Sequence, residues 1–340
     1  MSERRRILVV GPSWVGDMVM AQSLFITLQQ QGDVQIDVLA PAWSLPILQR
    51  MPQVHQGIAM PLGHGQLGLR TRWQLGRQLA RSGYQQAIVL PGSLKSALVP
   101  WFAGIPQRTG FTGEQRYGLL NDRRPLDKQV LPMTVQRFVA LGLPRAAAAH
   151  TAPEFQPPRL VADASNAARL RERLGLQDAR PAVAFMPGAE YGPAKQWPAP
   201  HFAQLARDLM ARGQQVWVLG SAKDRDIGQA IADSLAPEQA PQLHMLCGQT
   251  ELGDVVDLLS LCAGAVSNDS GLMHIAAALG IPLVAIYGSS DPRHTPPLSP
   301  SAKALSLNLP CAPCFERRCP LGHTRCLNEL LPQQVLQALP

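Results

Sequence analysis

Long hydrophobic runs are missing from this chain. No stretch of eighteen uncharged apolar residues occurs, so a membrane-spanning helix is not expected. The first few residues, Met1-Ser2-Glu3-Arg4-Arg5-Arg6, are not followed by a signal-peptide pattern. A cytosolic protein is the expectation. Aromatics are also few, at 5% of residues. No basic stripe is interleaved with them, which argues against a nucleic-acid partner. Acidic residues are outnumbered, 24 against 31 basic ones, for a net charge of +7. The basic side is dominated by arginine, whose planar fork suits phosphate and carboxylate. The balance therefore points to an anionic partner.

Cysteine is scarce too, with six residues. Cys247 and Cys262 look like isolated core thiols. Cys311, Cys314, Cys319 and Cys326 form C-x2-C-x4-C-x6-C with His323 nearby. Clustered cysteines in a cytosolic chain argue against disulfides. They leave two readings, a structural zinc site or a reduced loop, and the short later gaps with no second C-x2-C favour the loop.

What is present is α/β alternation over 340 residues, 46% of them hydrophobic, which is long enough for two domains. The organising stretch is 264–291, GAVSNDSGLMHIAAALGIPLVAIYGSSD. It reads as strand, polar turn, helix stopped at Gly280, and a second strand. Ligands of open α/β sheets collect at the carboxyl ends of such strands. The N–H groups of the turn Gly271–His274 would seat a phosphate; otherwise Asp269 or Ser270 simply caps the helix. His274 is either a phosphate neighbour or a buried imidazole.

The first half opens with a strand at Arg6–Val10, the turn Gly11-Pro12-Ser13-Trp14-Val15-Gly16-Asp17, and a helix from about Met18 to Gln30. That turn is not GxGxxG, and no acidic residue ends the second strand, so a dinucleotide site there is not expected. Asp17 is either a favourable charge in the first helical turn or a carboxylate held at a ligand site. Strands are expected at 54–59 and 86–90 and helices at 67–80, 94–102 and 132–141. Residues 104–128 carry Arg108, Arg116, Arg123, Arg124 and Lys128 with Phe111 and Tyr117. They show no periodicity and read as a loop region that attracts an anion, or as a solvated basic surface. After the Ala/Pro-rich break at 144–160 and a helix at 162–174, the hinge is expected near 175–181. The alternation then restarts. Loop 187–197, PGAEYGPAKQW, presents Lys195, either as a diphosphate-neutralising cation or as a surface lysine.

Four segments, GPSWVGDMVMAQSL, RTGFTGEQRYGLLND, PGAEYGPAKQWP and SNDSGLMHIAAALGIPLVAIYG, together resemble the ADP-heptose:lipopolysaccharide heptosyltransferases of Gram-negative bacteria. This is glycosyltransferase family 9, and the likeness is to its heptosyltransferase II branch. The resemblance implies a GT-B fold: two Rossmann-like domains facing each other across a cleft. It implies an acceptor-binding domain over 1–175 and a donor-binding domain over 176–340, the last helix leaning back on the first. It implies inverting transfer of heptose from ADP-L-glycero-β-D-manno-heptose to the first heptose of the inner core, with no cofactor and no obligate protein partner. Asp17 would be the base, and Lys195, Asp269, Ser270, Gly271 and His274 would hold the donor. Gly16, Lys95, Arg108, Arg116 and Tyr117 would face the lipid-linked Kdo/heptose acceptor. Residence would be cytoplasmic, peripherally at the cytosolic face of the inner membrane. Heptosyltransferase I, another nucleotide-sugar transferase of the same fold, and a non-catalytic nucleotide-binding protein are the alternatives.

Overall fold

The computed structural model describes residues 4–63, 65–148, 150–176 and 180–340. The chain divides into two units, up to Pro158 and from Arg159 onward. Each unit holds one six-stranded parallel sheet.

The first sheet is built from β1 (Arg5–Val10), β2 (Val34–Pro41), β3 (Val54–Met60), β4 (Gln86–Val89), β5 (Gln107–Phe111) and β6 (Asp122–Arg124), in the order β3-β2-β1-β4-β5-β6. The second comprises β7 (Ala182–Met186), β8 (Gln215–Val218), β9 (Leu243–Met245), β10 (Gly264–Asn268), β11 (Leu283–Ile286) and β12 (Ala302–Leu305), in the order β12-β11-β10-β7-β8-β9. Both are the doubly wound arrangement. Its central strands are flanked on both sides and covered on both faces, so they read as continuous apolar runs. Ile7 to Val10 and all of β7 and β10 are buried accordingly.

In such a sheet the strand order reverses beside the first strand, and the loops on either side of that point splay apart to admit a ligand. In the first unit those are the loops after β1 and β4, which carry Asp17 and Lys95. In the second they are the loops after β7 and β10, which carry Lys195 and Asp269-Ser270-Gly271. Topology alone thus places four of the expected site segments at ligand-binding edges.

Two expectations need correction. Residues 104–128 are not a loop throughout, because β5 and β6 run through them and pair with each other. The unit boundary falls at Pro158/Arg159 and not near 175, because the helix Ala164–Arg173 is bound into the second unit. The N–H of its cap Asp163 donates to the Asp257 carboxylate at 2.8 Å, and Asn166 Nδ2 donates to the same carboxylate at 2.8 Å. The terminal helix Pro332–Ala338 packs against the helix Ala199–Ala211 within the second unit. Its Val335 joins Phe185, Trp197 and Phe202 in that unit's core, so it is a core element of the second unit.

Candidate active site

The first unit's segment starts where β1 delivers the chain to Gly11. A side chain there would collide with Met18 Cε at 2.7 Å, so glycine is what lets the helix Val15–Gln30 close over the strand. Trp14 occupies the cap position without a side-chain hydrogen bond. Asp17, in the first turn, forms no capping bond either, and among the described residues it has no hydrogen-bond or ion-pair partner. Burial pushes its carboxyl from 3.8 up to about 6. Capping is therefore not its role. It is a lone carboxylate on a rigid element, with the proton affinity of a general base operating near neutrality. Gly16 is buried beside it, and Lys95 is half-buried in the short turn Leu94–Ala97 after β4.

The arginines expected to meet the acceptor behave otherwise. Arg116 is 0% exposed. Its guanidinium donates to the Pro91 carbonyl at 2.7 Å, to the Phe111 carbonyl, and to Ser96 Oγ at 3.3 Å. Burial lowers its pKa to about 10, so it remains charged at neutral pH. Arg108 donates to the carbonyls of Leu119 and Ile105, both at 2.6 Å. Arg124 reaches the Ala140 and Leu143 carbonyls at 2.6 and 2.8 Å. The Arg108 and Arg116 forks hold the loop between β5 and β6 in shape, and Arg124 ties β6 to the end of the helix Thr134–Gly142. The assignment of Arg116 to the acceptor is corrected on that ground: a guanidinium enclosed by protein carbonyls has no face for an outside anion. Arg108 is mainly a brace as well. Tyr117 is 64% exposed and lies under the Arg123 guanidinium, 4.2 Å from ring centroid to Cζ, which leaves this pair open to solvent.

In the second unit, β10 ends at Asn268 and the helix Gly271–Leu279 begins after Ser270. Ser270 sits at the cap position but makes no side-chain capping bond, which leaves the first N–H groups without that partner at a helix start where N–H groups and the dipole favour an anion. Lys195 Nζ lies 2.6 Å from Asp269 Oδ2, which also accepts from Ser290 Oγ at 2.5 Å. An ammonium has three donor hydrogens, so this bond leaves two for a diphosphate. His274 is buried, and burial pushes its pKa down to about 4, with Asp269 opposing and Lys195 assisting. It is a neutral imidazole at physiological pH.

Sequence reasoning missed Asn268. It is fully buried; Oδ1 accepts from Trp197 N–H at 3.0 Å, and Nδ2 donates to the Pro187 carbonyl at 2.6 Å. One side chain thus pins both ends of the loop that carries Lys195. An amide at the last position of a buried strand was the available signal.

The cysteine segment braces the same loop. Ala194 N–H donates to the Arg317 carbonyl at 3.1 Å, Tyr191 Oη to the Phe315 carbonyl at 2.6 Å, and Phe315 N–H to the Ser289 carbonyl at 2.7 Å. A side chain at Gly192 would meet the Arg317 carbonyl at 2.5 Å. Cys311, Cys314, Cys319, Cys326 and His323 line one small cavity with Ala194 and Ser289. Backbone N–H groups of Thr324, Leu321, His323 and Gly322 lower the Cys319 thiol's pKa. Among the described residues no three His, Cys, Asp or Glu side chains are placed to hold a metal. The sequence Asp224-Arg225-Asp226 has the D-x-D spacing of metal-diphosphate sites. Asp224, however, is engaged by Ser221 N–H and Oγ at 2.7 and 2.8 Å.

Two doubly wound units, one with a lone carboxylate at its switch point and the other with a lysine beside a helix start, have the α/β architecture of GT-B glycosyltransferases. The family model described as glycosyltransferase family 9 (heptosyltransferase) matches residues 72–325, and the chain belongs to that family. It is 47% identical over 339 residues to lipopolysaccharide heptosyltransferase 2 of Escherichia coli K12, covering 98% of this chain and 97% of the relative. It is 48% identical over 307 residues to lipooligosaccharide heptosyltransferase 2 of Haemophilus influenzae, covering 88% of each. The solved structure of E. coli ADP-heptose LPS heptosyltransferase II superposes with a TM-score of 0.88 at 45% identity, over 98% of this chain and 97% of that one.

Proposed function

We propose that this enzyme transfers L-glycero-D-manno-heptose from ADP-heptose to the first heptose of the lipopolysaccharide inner core, releasing ADP with inversion at the anomeric carbon. The observation that carries the mechanism is the unpartnered carboxyl of Asp17, raised to about 6 by burial. As a carboxylate it accepts the proton of the acceptor hydroxyl while that oxygen bonds to the anomeric carbon. The bond from that carbon to the phosphate oxygen breaks, and ADP departs with the electron pair. Inverting sugar transfer needs its base on the face opposite the leaving group. Charge grows on the diphosphate as it leaves, and fixed positive groups must meet it. Lys195 and the start of the helix Gly271–Leu279 supply them, with neutral His274 available as a hydrogen-bond partner. No cofactor enters this proposal. The acceptor is lipid-linked, and no helix among the described residues is long and apolar enough to cross a membrane. Work at the cytosolic face of the inner membrane is part of the same reading.

The test is incubation of the purified protein with ADP-heptose and mono-heptosylated Kdo-lipid A. One heptose should be added by mass, and the new linkage should have the anomeric configuration opposite to the donor's. Transfer only to acceptor lacking heptose would establish the heptosyltransferase I reaction instead. ADP binding without transfer to either acceptor would sink the enzymatic reading.

A further inference from the structure

Between Asp37 and Glu114 the sequence contains no acidic residue, yet it holds Arg50, Arg70, Arg72, Arg77, Arg81, Lys95 and Arg108. The helix Leu69–Leu79 lies in this span. Its inner side is Arg72, Gly76 and Leu79. At Gly76 it meets the helix Leu98–Phe102 so closely that a side chain would strike Phe102 Cβ at 2.5 Å. The flank beside that side carries Leu69, Trp73 and Arg77 at four-residue spacing, so they form one stripe that turns from the packed side towards solvent, with Arg70 on the outer side and Arg81 just past the end. All five are exposed or half-exposed. Trp73 is 49% exposed, and Trp101 on the adjoining helix is 45% exposed. Among the described residues none of the three arginines takes part in an ion pair.

Large apolar side chains exposed on a monomer's surface are informative when they cluster. These sit among unpaired arginines and away from any carboxylate of their own segment. A basic helical face bearing tryptophan and leucine matches the interface of an anionic bilayer: the rings rest at headgroup depth and the arginines meet lipid phosphates. Other exposed apolar side chains, Trp43 after β2 and Leu94 after β4, stand at the carboxyl edge of the same sheet. Asp17 lies at that edge, after β1.

We infer that the face formed by Leu69, Arg70, Trp73, Arg77, Arg81 and Trp101 docks the enzyme on an anionic lipid bilayer. This rests on the reading of a lipid-linked acceptor. It moves the membrane contact away from the 108–128 arginines, which are largely held by carbonyls. A bilayer bound here keeps the acceptor's anchor in the membrane while its sugars reach the carboxyl edge of the first unit.

The test uses the full chain without donor or acceptor, sedimented with phosphatidylcholine vesicles with or without phosphatidylglycerol. Binding is expected only to the anionic vesicles and should weaken as salt rises. A basic residue near such a surface changes partitioning by a factor of about five. The triple variant Arg70→Gln/Arg77→Gln/Arg81→Gln should therefore partition roughly 100-fold less. The corresponding Arg→Lys triple variant should bind as the parent does, and Trp73→Ser alone, which removes a large apolar side chain from the interface, should lose binding at least ~5-fold. Every variant should retain the parent's ADP affinity and its rate on a deacylated, water-soluble acceptor. Failure of the parent to bind anionic vesicles, equal binding to neutral ones, or undiminished binding by the glutamine variant would overturn the assignment. So would loss of rate on the soluble acceptor, which would make this face part of the sugar site. Absence of transfer by the parent itself, with vesicle binding intact, would count against the proposed reaction and leave the membrane face standing.

Discussion

At the scale of single residues, Asp17 and Arg116 show how burial divides two groups that look alike on paper. Both are charged residues in glycine-containing segments of the first unit, but one is left without a partner and the other is enclosed by acceptors. With Asp17 raised to about 6, kcat/KM should climb with pH through that value as the base ionises. Asp17→Asn should lower turnover at least ~100-fold and abolish this limb. The folded-state pKa lies above the unfolded one, so the native carboxyl's contribution to stability is fully present only below about pH 4 and is lost as pH rises through about 6. The asparagine variant should thus be more stable than the parent at pH 7.5, by at most about 3 kcal/mol, and the gain should vanish by pH 4. Paired melting curves would check it; equal melting temperatures at both pH values would mean that Asp17 is not held in a desolvating site. Arg116→Ala should act on the fold. Stranding several buried carbonyls and removing a buried, fully bonded cation should cost about 3–5 kcal/mol in denaturant titrations. His274 has the opposite sign from Asp17. Its folded pKa, about 4, lies below the unfolded value, so its neutral form contributes stability above about pH 6.5 that is lost as pH falls towards 4.

At the scale of elements, the donor loop 187–197 is held by Asn268 at both ends and by the cysteine segment along its middle. Lys195→Ala should weaken ADP binding by roughly 1.5–3 kcal/mol, the scale of a hydrogen bond to a charged group. Asn268→Ala, which removes no group proposed to touch ADP, should weaken the same binding by freeing the loop, with Lys195 left chemically intact. Calorimetry on the two variants separates contact from positioning. Unchanged ADP affinity in Asn268→Ala would mean that the loop holds its shape without this clamp. The strand-turn-helix units around Asp17, Lys195 and Ser270 were legible in the sequence because central parallel strands are apolar throughout and end abruptly in Gly, Ser or Asp. β6 and β12 were not, since edge strands keep polar, half-exposed faces without alternation. Nor was β9, a three-residue edge strand. The arginines of 104–128 were legible as a charge cluster but not as braces, because composition cannot say whether a guanidinium finds carbonyls or water. Asn268 was readable only as a turn polar residue; its two partners lie 71 and 81 residues away along the chain.

At the scale of the whole molecule, the unit boundary decides what the second half needs to fold. A Gly-Leu-Gln-Asp-Ala-Arg-Pro run ending at Pro181 suggests a hinge after the helix Ala164–Arg173. The helix nevertheless belongs to the second unit. Leu160 N–H reaches the Ala278 carbonyl at 3.0 Å, and Asn166 Nδ2 bridges the carboxylates of Asp254 and Asp257 at 3.0 and 2.8 Å. Asp257 is fully buried, and Ala167 and Leu170 are buried on the same helix. Cutting at 176 removes two hydrogen bonds from a buried carboxylate and exposes the apolar surface that Leu170 covers. The carboxylate bonds lie in the range of about 1.5–3 kcal/mol each, and loss of a buried leucine in the range of about 2–5. Together they are comparable to the whole stability of an ordinary domain, about 5–15 kcal/mol. A fragment beginning at Arg159 should therefore unfold cooperatively and bind ADP as the full chain does, since every residue proposed for the donor lies within it. A fragment beginning at 176 should lose its cooperative transition or melt far lower. Equal stability of the two fragments would show that the helix is only a strap laid over the second unit, and would return the boundary to the hinge that the sequence suggests.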